Sequence, residues 1–356
     1  MASGLLQYSG LVTKTKAMHG ELLPEEELCR LMEYETVEEI IAFLRESKGY
    51  APIFKSHDEM HHRAQVEAVM DDSLYSDYMR LYRFAGGEQR KGLEILFFRY
   101  EVNVLKNCLK HMEQGGREYN LGYLNLFFDR HSCYDTAALT RATNMAELIA
   151  ALSGTRYEKL MGRLQENPQL SGADYEMQLD IYYYRTVWKM KDKLTNRRTK
   201  QIFTRVLGTE IDWLNIMWMY RFKRFYHRKP TDIYADMIPV SYRLKKKELQ
   251  KMLETEKLEE FVEVLGHTAY FTDKDPVVSL GDEITFRLVM EKTYRQICRA
   301  YPMSLAPVLW YLYNKENEID DLTTILEGVR YRIPPKEIQE LVITTEIART
   351  GRQRAG

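Results

Sequence analysis

The chain has 356 residues, 45% of them apolar and 29% charged, with a net charge of −1. That is the composition of a folded protein with two or three cores rather than a disordered segment, and the near-zero charge advertises no nucleic-acid partner. The four cysteines, Cys29, Cys108, Cys133 and Cys298, lie too far apart for a CxxC zinc site or a disulfide framework, so a reducing compartment is the default expectation.

The first stretch, MASGLLQYSGLVTKTKAM, holds no apolar run of signal-peptide length. With only 19 Gly and 10 Pro, and long stretches rich in Leu, Met, Glu, Lys and Arg, the pattern predicts an all-α protein. The first clear element is VEEIIAFL from Val37, with apolar residues at its first, fourth, fifth and eighth places, the stripe of a short amphipathic helix leading to Tyr50. HDEMHH, His57 to His62, comes next. His57 and His61 are four apart and share a helix face, as two zinc ligands would. A metalloprotease needs Glu directly after the first His, but Asp58 stands there and Glu59 follows one place late. The stretch reads as a polar loop, with a metal-dependent hydrolase on His57 and His61 as the alternative. EAVMDDSLY from Glu67 starts a longer middle helix, Gly86-Gly87 marks a turn, and EVNVL from Glu101 lies on a terminal helix that breaks at EQGGREYN, Glu113 to Asn120.

The series then begins again. MAELIAAL from Met145 leads to Tyr157, EMQLDIYYY starts at Glu176, and EIDWL starts at Glu210 before a break at HRKPTDIY, His227 to Tyr234. A third round follows: LEEFVEVL from Leu258 leads to Tyr270, EITFRLVM from Glu283 has Arg287 where the other rounds have Asp, and EIDDL starts at Glu318. An interval near 108 residues, shared by markers in one order, predicts an internal triplication. The expected borders are 1–115, 116–228 and 229–345, with a flexible basic tail over 346–356. Leu244 to Phe261 reads as one charged, solvent-facing helix, and TDKDPVVSL after Phe271 as loop with a short extended piece. The longest uncharged run, Tyr301 to Asn314, contains two prolines and falls short of the roughly 20 residues that cross a bilayer.

Two features invite a functional reading. Glu210 and Asp212 sit in an otherwise apolar stretch, two residues apart and so on different helix faces. Ile211, Leu214 and Trp218 form the expected buried stripe, with Glu210 at its edge, placed to meet a cation of another helix or the amides of a helix start. A catalytic acid needs partners gathered at one cleft. Copies spread evenly along the chain, Glu101 with Asn103, Glu210 with Asp212, and Glu318 with Asp320, read instead as one structural joint made three times.

The second feature is RFKRFYHRK, in which Arg221, Lys223, Arg224, Arg228 and Lys229 alternate with Phe222, Phe225 and Tyr226. Such a patch fits an acidic protein surface or anionic headgroups, single-stranded nucleic acid, or simply an exposed helix end. The sequence holds no P-loop, GxGxxG or GxSxG pattern, and its 25 tyrosines suit helix and protein contacts. No catalytic residue, metal ligand or cofactor is assigned.

The stretch from Asn314 to Leu341, NKENEIDDLTTILEGVRYRIPPKEIQEL, resembles the C-terminal signature of the C subunits of archaeal and bacterial A/V-type ATPases, the family that includes the d subunit of the vacuolar ATPase. Lys315, Glu316, Glu318, Ile319, Leu322, Ile325 and Gly328 fit the family pattern, as does the Ile-Pro-Pro turn; Asp321 departs, where Asn is usual. The resemblance implies a funnel of three pseudo-threefold-related helical repeats. It implies a non-enzymatic part of the rotor, seated between central-stalk subunits of the D/F type and the membrane rotor ring. Such a protein lies peripherally on the cytoplasmic face, meets the membrane only through the ring, and transmits torque for proton or sodium transport linked to ATP. It binds no nucleotide and no nucleic acid. A generic helical scaffold for other soluble proteins is the remaining alternative.

Overall fold

The computed structural model describes residues 2–55, 63–113, 115, 128, 130–167, 169–226, 229–271, 283–342 and 344. Among these residues every regular element is helical and no strand occurs, so the all-α expectation holds. The chain divides into two compact units: residues 1–90, 117–155 and 301–356 form the first, and residues 91–116 and 156–300 the second.

The first unit contains α1 (Ala2–His19), α2 (Glu25–Met32), α3 (Val37–Glu46), α4 (Ala51–Phe54) and α5 (Arg63–Phe84). After α6 (Gly87–Glu113), most of which belongs to the second unit, it adds α7 (Thr136–Arg141) and α8 (Met145–Ala151). The two helices at the chain's far end, numbered α16 (Ala306–Arg330) and α17 (Pro335–Leu341) after those of the second unit, complete it. α16 is the spine, with α1, α2, α3, α5 and α17 all packed on it. Gly328 lets α17 close: a Cβ there would stand 2.5 Å from Ile338 Cδ1. The turn Ile333-Pro334-Pro335 then starts α17 with proline at a position that needs no amide hydrogen.

The second unit holds the rest of α6 and α9 (Glu158–Gln165), α10 (Gly172–Met190), α11 (Arg197–Arg221), α12 (Pro230–Ala235), α13 (Lys246–Glu254), α14 (Leu258–Gly266) and α15 (Glu283–Ala300). Its core gathers around Trp213, Met219 and Tyr220 of α11, with Ile233, Met252, Phe261 and Leu265. Gly208 plays the part of Gly328 here, since a Cβ would collide with the Tyr242 ring.

The helix starts follow local chemistry. Thr36 and Glu39 form a reciprocal capping box for α3, Ser171 and Asp174 another for α10, and Asn144 caps α8. In the three short helices that carry the sequence stripe, the fourth and eighth places are fully buried: Ile40 and Leu44, Leu148 and Leu152, Phe261 and Leu265.

Three expectations change. Leu244 to Phe261 is two helices, α13 and α14, because Thr255 turns to extended geometry and its hydroxyl bonds back to the Met252 carbonyl. The stripe of α11 is only partly Ile211, Leu214 and Trp218: Ile211 is fully buried, but Leu214 and Trp218 are half-buried, and Trp213, Ile216 and Met219 face the core, because this helix is covered on several sides. Within the expected break at His227 to Tyr234 a short helix, α12, starts at Pro230, while His227 and Arg228 lie outside the described residues. His57 to His62, the residues from Thr272 to Leu280 expected as loop with an extended piece, and the basic tail 346–356 lie outside the described residues.

Candidate functional site

Four of the five signature carboxylates, Glu101, Glu210, Asp212 and Glu318, are buried, and each takes hydrogen bonds from elements far away in sequence, whereas Asp320 is exposed. Glu318, 4% exposed on α16, accepts the Leu23 amide at 2.5 Å ahead of α2, the Tyr50 hydroxyl at 2.8 Å and the Lys315 ammonium at 3.0 Å. Lys315 is itself buried and stands 3.5 Å from the centre of the Tyr50 ring. An ammonium out of water requires this carboxylate, and the ring's electron-rich face adds to the attraction. Burial, and then the negative charge of Glu318, hold the Tyr50 phenol well above its ordinary pKa, so it stays a donor.

In the second unit the load is split between two carboxylates. Glu210 accepts the Arg99 guanidinium of α6 at 2.5 Å and the Tyr184 hydroxyl of α10 at 3.0 Å. Asp212, 1% exposed, accepts the amides of Tyr242, Arg243 and Leu244 at 3.0, 2.7 and 3.1 Å and the Tyr270 hydroxyl at 2.7 Å. Asp212 thus fastens the strip of chain that leads into α13. Glu101 on α6 lies 3.4 Å from the Tyr157 hydroxyl and 3.9 Å from Arg156. Asn103 is half-buried.

The tyrosines that follow the three short stripe helices are therefore the groups that reach signature carboxylates: Tyr50 to Glu318, Tyr157 to Glu101 and Tyr270 to Asp212. By sequence interval, each tyrosine belongs to the round after the carboxylate it meets, with the first round meeting the third. The sequence showed the tyrosines and the carboxylates as separate regularities; their common interval was the signal that could have joined them. Arg99 and Tyr184 were not legible as partners, because nothing in their own spacing marks them; Lys315, three residues before Glu318 on the same helix, could have been read from its spacing.

The remaining signature residue, Asp320, stands in acidic company. Burial first, then the charges of Asp320, Asp72 and Glu67, push the Asp71 carboxyl up to about 7. Its counterpart in the second round, Asp180, has a cation instead, the Lys106 ammonium at 2.9 Å.

The basic stretch lies at the C-terminal tip of α11, where the helix widens into one π-helical turn, Phe222–Tyr226. Arg221, Arg224 and Lys229 are exposed; Arg228 lies outside the described residues. Lys223 is half-buried. Its ammonium donates to the carbonyls of Leu253 at 2.7 Å and Thr255 at 2.6 Å, closing the C-terminal end of α13, and burial pulls its pKa below the ordinary value. Phe225, Tyr226 and Tyr234 are 63%, 68% and 63% exposed, half of the six large hydrophobic side chains most open to solvent among the described residues. Arg224 bonds the Tyr220 hydroxyl at 3.0 Å and lies 5.1 Å over the Phe225 ring.

Other candidates are poorer. An open cleft of about 720 Å³ between α2 and α3 is lined by groups such as Glu27, Arg30, Tyr34 and Phe43, and its lining has neither His nor Cys to serve as nucleophile or ligand. Among the described residues no cluster of His, Cys, Asp and Glu has the geometry of a metal site, and no helix is long and apolar enough to cross a membrane.

Residues 11–341 match the family model described as ATP synthase (C/AC39) subunit. The C subunit of the A-type ATP synthase of Methanosphaera stadtmanae is 26% identical over 348 residues, 93% of this chain and 86% of that protein. The proteins of the same description from Methanosarcina acetivorans and Methanosarcina mazei are each 25% identical, covering 91% and 96% of this chain and 89% and 94% of their own length. The match spans nearly the whole fold, from within α1 to the end of α17, including the buried joints, and so the chain belongs to the ATP synthase (C/AC39) subunit family and is a non-catalytic subunit of an ATP synthase complex.

Proposed function

We propose that this subunit is the rotor's mechanical adaptor, coupling the rotating central stalk to the membrane ring so that ATP turnover and proton or sodium movement stay linked. In this reading the chain is one helical module used three times, with borders near residues 115, 228 and 345, arranged as a funnel on the cytoplasmic face. Stalk subunits of the D/F type and the ring are its partners, and it meets the membrane only through the ring.

One observation supports this most directly: the conspicuous carboxylates of the chain are consumed in joining its helices. Asp212 ties its long helix to distant chain through four hydrogen bonds, and Glu318 does so through two, beside a third from Lys315 on its own helix. Charge-assisted bonds inside a dry interior resist slipping, which a torque-bearing part requires. The basic tip of α11 supplies a contact surface, and in this reading it meets an acidic face of the stalk or of the ring.

The test is depletion and reconstitution. Membranes lacking the subunit should keep ATP hydrolysis in the soluble part but lose ATP-driven ion uptake, and adding the purified subunit should restore uptake. Ion uptake that persists without the subunit ends the reading. For the tip, Arg221→Glu with Arg224→Glu should weaken assembly at low salt and matter less as salt screens the contact.

A further inference from the structure

The tip of α11 carries more than charge. The ammonium of Lys223 is drawn inward to the Leu253 and Thr255 carbonyls, within the π-helical turn. With that side chain anchored to the end of α13, the residues after it are the ones turned to solvent, and Phe225 and Tyr226 stand open. Tyr234 on α12 adds a third ring, held in place because its neighbour Ile233 is buried in the same core cluster as Tyr220. Exposed rings at a basic rim are costly in water and have the chemistry of an interface centre, where aromatic and Arg side chains dominate binding energy.

We infer that Phe225, Tyr226 and Tyr234 form an aromatic anchor, with Arg221 and Arg224 as its rim and Lys223 as its positioning residue, and that its occupant is a protein segment presenting an apolar side chain flanked by carboxylates. This rests on the adaptor reading and names the partner chemistry of its basic tip. The acidic character of the occupant follows from charge complementarity to the exposed Arg221, Arg224 and Lys229. A protein segment fits better than a layer of anionic headgroups because the surface is not uniformly positive: Asp232, also exposed, lies between Lys229 and Tyr234 on the same short helix start.

The experiment uses the full-length chain and the purified remainder of the ATPase, with affinity measured at low and high salt. Phe225→Ala with Tyr226→Ala should weaken binding at least about tenfold at both salt concentrations. Arg221→Glu with Arg224→Glu should weaken it mainly at low salt. Lys223→Met should also lower affinity without lowering the melting temperature of the free chain to the same degree, and Lys223→Arg, which still donates to two carbonyls, should restore it. Full binding by the aromatic variant, beside a weakened charge variant, overturns the anchor and leaves the basic contact standing. Full binding by both removes the tip from the interface altogether, while the depletion experiment still decides the adaptor role. Equal capture of the chain by vesicles of anionic lipid, abolished by the aromatic substitutions, overturns the assignment to a protein partner.

Discussion

Glu318 and Asp212 occupy related places on two long helices, both almost out of contact with water, and each carboxyl is satisfied by a different set of partners. Around Glu318 the set contains a countercharge: Lys315, one turn earlier on the same helix, is buried with it and bridges to the Tyr50 ring. Around Asp212 it is a cradle of three consecutive backbone amides and a phenol. The first solution fails in an all-or-none way, because removing either ion strands the other in a dry site. The second spreads the charge over dipoles that the chain must orient anyway, and it fixes a backbone path rather than a side-chain pair. A short acidic motif repeated in a sequence therefore specifies that a joint will exist, but not how its charge is balanced.

The sharpest way to break the comparison is Glu318→Gln. The amide leaves Lys315 buried without its carboxylate, and the chain should lose about 3–5 kcal/mol in urea unfolding. Asp212→Asn should cost less, about 2–3 kcal/mol, since one amide oxygen survives to accept while the new amino group faces backbone donors. A larger loss for Asp212→Asn than for Glu318→Gln would mean that the amide cradle, not the ion pair, is the stronger fastening. Smaller again are Tyr50→Phe and Tyr270→Phe. Each removes one donor at 2.8 and 2.7 Å from a carboxylate that keeps its other partners, so about 1–2 kcal/mol is expected for either, with the ring packing retained. If Tyr50→Phe costs clearly more than Tyr270→Phe, the phenol is needed to support the charge of the ion pair as well as to pack.

Much of this was readable from the chain, and the parts that were not share a cause. Periodicity marks which side of a helix is buried when one side is covered, so the stripes of α3, α8 and α14 were legible to the residue. It fails where a helix is covered on several sides, which is why α11 buries Trp213, Ile216 and Met219 as well as Ile211 and leaves Leu214 and Trp218 of the expected stripe half-buried. The carboxylates stood out because acids in apolar runs are rare. Most of their partners did not, because Arg99, Tyr184 and the amides ahead of α13 become partners only through the fold, while Lys315 sits one turn before Glu318 on the same helix. Lys223 shows the same limit at the tip: sequence counts it as one more surface cation, whereas the end of α13 draws it inward.

Asp71 offers the smallest and most selective test, because it is a carboxyl without the solution found at either joint. Where Lys106 meets Asp180, Asp71 faces the charges of Asp320, Asp72 and Glu67, and with burial these raise it from 3.8 to about 7. A raised carboxyl holds its proton in the folded chain over a range where the unfolded chain has already released it. The folded state therefore binds the extra proton between about pH 4 and pH 7, and stability must fall as pH rises through that window and level off above it. The drop should be on the order of 1 kcal/mol, since Asp71 is half-buried and water screens part of the repulsion. Asp71→Asn removes the titrating group while keeping its size, so the urea midpoint of this variant should vary less between about pH 5 and pH 8 and should exceed that of the parent chain at the upper end. An unchanged slope would mean that the excess negative charge at this place on α5 is already neutralised by a cation.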